Sequence, residues 1–166
     1  VSEIMHPENE LVVVWASRHT PLKCELHELH RIITEKFRVK SYRIVPVRRV
    51  STAEKLAEFV REVGAKIVVA VLPLTVIQRL AELQAQHGFI LLKPHMKEIG
   101  KYTNEADALR EEAENRDCRT IQRYWGDTGT EYKVWEFQYF EHVKKVVVEA
   151  EPIGGNHEGG GATRGD

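Results

Sequence analysis

Apolar runs and amphipathic stretches alternate along the N-terminal part of the chain, and their two periods predict alternating strands and helices. The run Leu11–Trp15 is apolar and continuous, so it reads as a buried strand. After Ser17-Arg18-His19, a helix is expected from about Pro21 to Phe37, with Thr20 as its N-cap and Pro21 at the first helical position. Leu22, Leu26, Leu29, Ile33 and Phe37 recur at three- and four-residue steps, which gives that helix one apolar stripe.

A second strand, Tyr42–Val47, leads into Ser51-Thr52-Ala53-Glu54, a capping-box sequence that puts the cap at Ser51. Leu56, Phe59, Val60 and Val63 form the next helix's buried face, and Gly64 suits the residue just past its end. The third strand, Ile67–Leu72, is followed by a helix that opens with Thr75-Val76-Ile77-Gln78, with Thr75 as cap, and closes at Gly88. A fourth strand, Phe89–Leu92, comes next. Strand–helix units with such short connections predict a parallel sheet with right-handed crossovers.

Beyond Pro94 the pattern changes. Asn104–Asn115 predicts a surface helix with a thin apolar face of Ala106, Leu109 and Ala113. Thr120–Trp125, Tyr132–Tyr139 and Val143–Glu151 read as strands, with Gly126-Asp127-Thr128-Gly129 as a turn. Trp135, Phe137 and Tyr139 alternate, so they are expected on one face, as core or dimer surface rather than as a nucleobase platform.

The expected fold is therefore α/β: a Rossmann-like three-layer domain, with a parallel sheet of about four strands and an antiparallel β extension at the C-terminus. Residues 1–10 read as a leader, 11–98 as the α/β core, 99–152 as a helix plus β extension of the same domain, and 153–166 as a Gly-rich flexible tail. Val1 opens the chain and Met5 follows, so residues 1–4 are either an added remnant or the trace of a lost upstream Met.

Length and composition narrow the function classes. With 166 residues and a formal net charge of −1, the chain is one domain's length and has no global basic field to recruit duplex DNA. No apolar run approaches a membrane span, and no signal-peptide order opens the chain. Cys24 and Cys118 match neither a metal pair nor a disulfide framework, which points to a reducing, cytoplasmic compartment. High charge with few amide side chains leans toward a heat-adapted source.

In a parallel sheet all strand exits lie on one rim, where helix N-termini favour anions. That rim would collect Ser17, Arg18, His19 and Thr20 from the first strand, Arg49 from the second, Thr75 from the third, and Lys93 and His95 from the fourth. Ser17, Arg18, Thr20, Arg49 and Thr75 are the expected ligand-binding residues. If the site is catalytic, Arg18 and Lys93 would stabilise phosphate charge and His19 or His95 would move the proton. No glycine-rich phosphate loop or nucleophile elbow occurs, so Ser17 is not expected to be a hydrolase nucleophile. Cys24, His27 and His30 walk around their helix instead of sharing a face, so neither a metal nor another cofactor is expected.

Val12–Thr20, an apolar strand followed by Ser-Arg-His and a Thr-Pro helix start, resembles the opening of small CRISPR-associated Rossmann-fold proteins over about residues 11–33. Those families include sensors of cyclic oligoadenylate and ring nucleases that degrade it. The resemblance implies a homodimer that binds a cyclic oligonucleotide across its two-fold axis, with Ser17, Arg18 and His19 in the ligand loop and metal-independent phosphodiester cleavage where there is catalysis. The competing expectation is a non-catalytic accessory or adaptor protein that pairs through its C-terminal β-arm. A small-molecule transferase or hydrolase on the same scaffold is a third.

Overall fold

The computed structural model describes residues 10–147 and 149–154. The expected leader (apart from Glu10), most of the expected tail and Val148 lie outside the described residues.

Strands β1 (Leu11–Ala16), β2 (Tyr42–Val47), β3 (Ile67–Ala70), β4 (Ile90–Tyr102), β5 (Arg119–Gly126) and β6 (Gly129–His142) form one sheet in the order β2-β1-β3-β4-β6-β5. The α/β class is as expected. The sheet, however, is a single mixed one, not a parallel sheet with a separate extension. β1 pairs in parallel with β2 and β3, and β3 with β4, while β6 runs antiparallel to both β4 and β5.

Helices α2 (Ala53–Val63) and α3 (Leu74–His87) cover one face, packing Leu56, Val60, Ile77 and Leu80 against Val12, Val14 and Val68. Helix α1 (Lys23–Arg31), continued by a π-helical turn at Ile32–Lys36, covers the other face with Leu29 and Ile33 on Val13, Trp15 and Val69. β1 and β3 are buried from both sides, which is why their sequences are unbroken apolar runs.

Three helix starts differ from the expected ones by one or two residues, each for a local reason. Thr20 does not cap α1: Pro21 favours an extended backbone before it, and the Glu25 carboxylate accepts the Leu22 N–H at 2.8 Å, so the helix begins at Lys23. Ser51 does not cap α2, because the Thr52 hydroxyl accepts the Lys55 N–H at 3.1 Å. Thr75 lies inside α3, whose start is set by Pro73, the carbonyl of which accepts from Val76 and Ile77. The helix ends are where expected: Gly64 and Gly88 sit at φ 71° and 73°, a conformation that favours glycine.

β4 departs most from expectation. The predicted strand stopped at Leu92, with Lys93-Pro94-His95 as a loop, but the strand continues through all three residues to Tyr102. Its parallel pairing with β3 ends at Leu92, so the lack of an N–H on Pro94 leaves no ladder bond broken on that edge. On its other edge, β4 pairs with β6 from Leu92 to Tyr102. The β4–β6–β5 arm therefore rises past the ends of β1 and β3.

Helix α4 (Glu105–Ala113) braces the arm. Ala108 is its buried residue, while Leu109 is 49% exposed and Ala106 and Ala113 also face outward, contrary to the expected stripe. Its inward face is instead polar. Glu111 accepts from Tyr102 and Arg119, and Arg119 also reaches Glu136 at 2.9 Å. The expected strand Val143–Glu151 does not form among the described residues. The carbonyl of Val143 instead accepts from the Gln84 side chain at 2.7 Å, and the same side chain's oxygen accepts the Leu91 N–H at 3.0 Å.

Cys24 and Cys118 form a disulfide with a Cα separation of 5.1 Å, which corrects the expectation that they stay unpaired. The pairing was hidden because the two residues lie 94 positions apart in sequence. It also removes the cysteine argument for a reducing compartment, since such bonds persist in oxidising compartments and in hyperthermophiles. No helix among the described residues is long and apolar enough to cross a membrane.

Two stability outcomes follow from this architecture. Closing so long a loop stabilises the fold by about 3–5 kcal/mol on chain-entropy grounds, so the double variant Cys24→Ser/Cys118→Ser should unfold at clearly lower denaturant, and reductant should lower the wild type to match it. Gln84→Ala leaves the Leu91 N–H and the Val143 carbonyl without their partner, and chemical denaturation should register a loss of roughly 1–3 kcal/mol.

Candidate functional site

The register sets Ala16 level with Val47 and Ala70, so β1, β2 and β3 end on one rim. Above it, β4 and the arm form a wall, and the start of α1 forms another. Between them lies a cleft of about 710 Å³, within the usual range for small-molecule sites.

Its floor is Trp15 and Ser17 at the end of β1. Ser17 is buried: its N–H donates to the Val47 carbonyl, and its hydroxyl accepts the His19 N–H at 3.1 Å. This hydroxyl-closed turn fixes the backbone, and the exposed His19 side chain lines the cleft with Thr20.

β4 contributes Lys93 and His95, which lie two residues apart and so share a strand face. Glu141 on β6 is 3.9 Å from Lys93 and 3.8 Å from His95, and the His95 ring stacks on Tyr139 at 4.8 Å. These side chains are a little under half exposed, so the Lys93–Glu141 pair adds little to stability.

The arm supplies the far wall with Thr120, Gln122, Arg123 and Trp135. Trp135 donates its indole N–H to Gln122 at 2.9 Å, which holds the ring in place. The expected common face of Trp135, Phe137 and Tyr139 holds for Trp135 and Phe137 but breaks before Tyr139. The pairing of β6 with β4 shifts register between His95 and Met96, with Gln138 as the extra residue. Phe140 consequently packs on Trp15 and Phe137 on Phe140, while Tyr139 is left 49% exposed.

Ser17, His19, Thr20, Lys93 and His95 thus line one cleft. The structure does not bring the other expected residues there. Arg18 is exposed outside the lining, and Thr75 is exposed in the first turn of α3. Arg49 borders a separate cavity of about 240 Å³ beside the start of α2.

Among the lining residues, Glu25, Gln122 and Arg123 were not expected at the site, and Trp135 was expected in a core or dimer face. Only Glu25 had a local signal, as the acid three residues after a helix N-cap. It is 6% exposed and holds the Leu22 N–H with one oxygen, while no hydrogen-bond donor among the described residues approaches the other. Burial pushes its carboxyl above the ordinary value, against the opposing pull of the Leu22 bond.

The disulfide joins the two walls. Cys24 precedes Glu25 in the first turn of α1, and Cys118 lies two residues before Thr120. The Cys24 N–H also donates to the Asp117 carbonyl at 3.1 Å, so the cleft is fastened by a covalent bond and a hydrogen bond at one end.

No protein-family model, curated protein or solved structure matches this chain.

A raised folded-state pKa means that ionised Glu25 opposes folding above that value, and the cost disappears as pH falls toward the unfolded carboxylate range. Glu25→Gln should therefore be more thermally stable than the wild type at neutral pH. Melting curves at successively lower pH should show that advantage shrinking.

Proposed function

We propose that the cleft binds a phosphate-bearing nucleotide, and that binding is the protein's primary activity. The observation that carries this reading is a cleft at the C-terminal rim of the parallel strands whose lining includes Lys93, Arg123, His19, His95 and Trp135. Lys93 and Arg123 offer charge to a phosphate, and His19 and His95 add ring nitrogens to the lining. The fixed Trp135 ring offers a face for a base, a contact worth about 1–3 kcal/mol in nucleic-acid sites. The Rossmann-like reading of the parallel half places ligands at this rim by general rule.

The resemblance over residues 11–33 makes cyclic oligoadenylate the first probe, alongside linear oligoadenylate and adenosine 5′-monophosphate. A cyclic ligand read across a two-fold axis also calls for a homodimer, which sedentary mass measurement by light scattering with and without ligand will register. Should cyclic oligoadenylate be cleaved without metal, His19 and His95 are the proton-transfer residues and Lys93 the charge stabiliser.

A second reading, a protein that pairs through its β-arm, draws support from Trp125. This residue sits at the β5–β6 hairpin and is 82% exposed.

Calorimetric titration and thermal-shift measurements with these probes should give binding at micromolar affinity. Lys93→Ala should weaken it about tenfold, the loss of one charge-assisted contact. Lack of stabilisation by any nucleotide at millimolar concentration removes the proposal, and capture of a partner abolished by Trp125→Ala would favour the β-arm reading.

A further inference from the structure

We propose that the free edge of β5 pairs antiparallel with β5 of a second copy, joining two six-stranded sheets across a two-fold axis centred on Gln122. The inference is independent of the nucleotide reading and makes the β-arm reading specific, because it names the partner and the register.

β2 and β5 are the outer strands of the sheet, and their free edges differ. In β2 the Val47 carbonyl accepts the Ser17 N–H, so Val47 faces β1 and its neighbour Pro46 faces outward. A proline there has no N–H to offer, which blunts that edge. In β5 the Cys118 carbonyl accepts the Phe137 N–H, so the even-numbered residues face β6. Arg119, Ile121, Arg123 and Trp125 therefore turn their backbone N–H and C=O groups outward, and no hydrogen bond reaches those groups from the described residues. The strand is eight residues long, contains no proline, and keeps its register against β6 without a bulge. Thr120, Gln122, Arg123 and Trp125 are exposed along it. Such an edge is a template for another strand.

The strand is complementary to itself in one register. An antiparallel pair of identical strands must set outward-facing residues opposite one another. Centred on Ile121, the pair puts Arg119 opposite the partner's Arg123; centred on Arg123, it puts that arginine opposite its own copy. Like charges directly opposite are destabilising. Centres nearer either end leave part of the strand unpaired. Centred on Gln122, Arg119–Trp125 is paired throughout: Arg119 meets the partner's Trp125, Ile121 meets the partner's Arg123, and no arginine faces another. That register also covers Trp125, which is 82% exposed in the single chain. Thr120, Gln122 and Arg123 line the cleft as well, so the seam runs along its edge.

A contact between one edge and its own copy closes at two chains. Light scattering and sedimentation of the full chain across micromolar concentrations should therefore report a dimer. A monomer throughout overturns the proposal, as does a mass beyond two copies. Arg123→Pro removes an outward N–H and spares the ladder to β6. It should weaken the dimer about tenfold or more, since each dimer loses two bonds. A dimer of wild-type affinity in Arg123→Pro overturns the assignment to β5. If circular dichroism shows that this proline prevents folding, Gln122→Cys decides. Position 122 faces its own copy at a non-hydrogen-bonded pair, close enough for a disulfide. Mild oxidation should give a covalent dimer of Gln122→Cys and little of Arg123→Cys. No cross-link at 122, or equal cross-linking of both variants, overturns the register. No arm of the test uses a nucleotide, so failure of the nucleotide reading has its own signature: a dimer that binds none of those probes.

Discussion

The cleft depends on β4 changing partners. For Ile90–Leu92 it is the fourth parallel strand, held by β3. From Leu92 onward it is held by β6 alone, and it continues ten residues past that point to Tyr102. A strand that stopped with its parallel neighbours would leave a flat rim. Because β4 continues, the rim acquires a wall, and Lys93 and His95 stand on it as strand residues that share one face. A β-strand backbone is a firmer support for a ligand contact than the loop that usually occupies this place in α/β folds.

An arm reaching beyond the main sheet must be secured by something other than that sheet, and three devices do so. Gln84 replaces a missing strand partner by accepting from Leu91 and donating to Val143. Arg119 joins Glu111 on α4 to Glu136 on β6, with its side chain only 14% exposed. The Cys24–Cys118 bond ties the base of the arm to α1. The first two act within the folded state, while the third acts largely by restricting the unfolded chain. Together they hold opposite walls at a set spacing before any ligand arrives, which lowers the ordering cost of binding.

The parallel half was legible because its signals are local. Thr52, Gly64 and Gly88 act within one turn of where they stand, and the β1 and β3 runs report burial on both faces directly. What was hidden depends on distant partners. Pro94 looks like a terminator in sequence and is harmless only because one edge of β4 has lost its neighbour. Tyr139 looks like a face-mate of Phe137 until a bulge against His95 separates them. Leu109 looks like the buried residue of α4, but the polar bonds of Glu111 settle which side faces the sheet, and Leu109 is left exposed. Of the expected site, the residues adjoining β1 and β4 meet in the cleft, whereas Arg49 and Thr75 belong to strand exits that diverge around the rim.

The cleft's charge is arranged rather than merely positive. A chain with a net charge of −1 carries no general attraction for anions, so any selectivity must come from placement. Lys93 already has Glu141 within 3.9 Å, which offsets its charge until a stronger anion displaces that partner. Glu25 opposes from the other wall, and burial makes its ionised form costly to keep. A ligand carrying negative charge alone would gain at one wall and lose at the other.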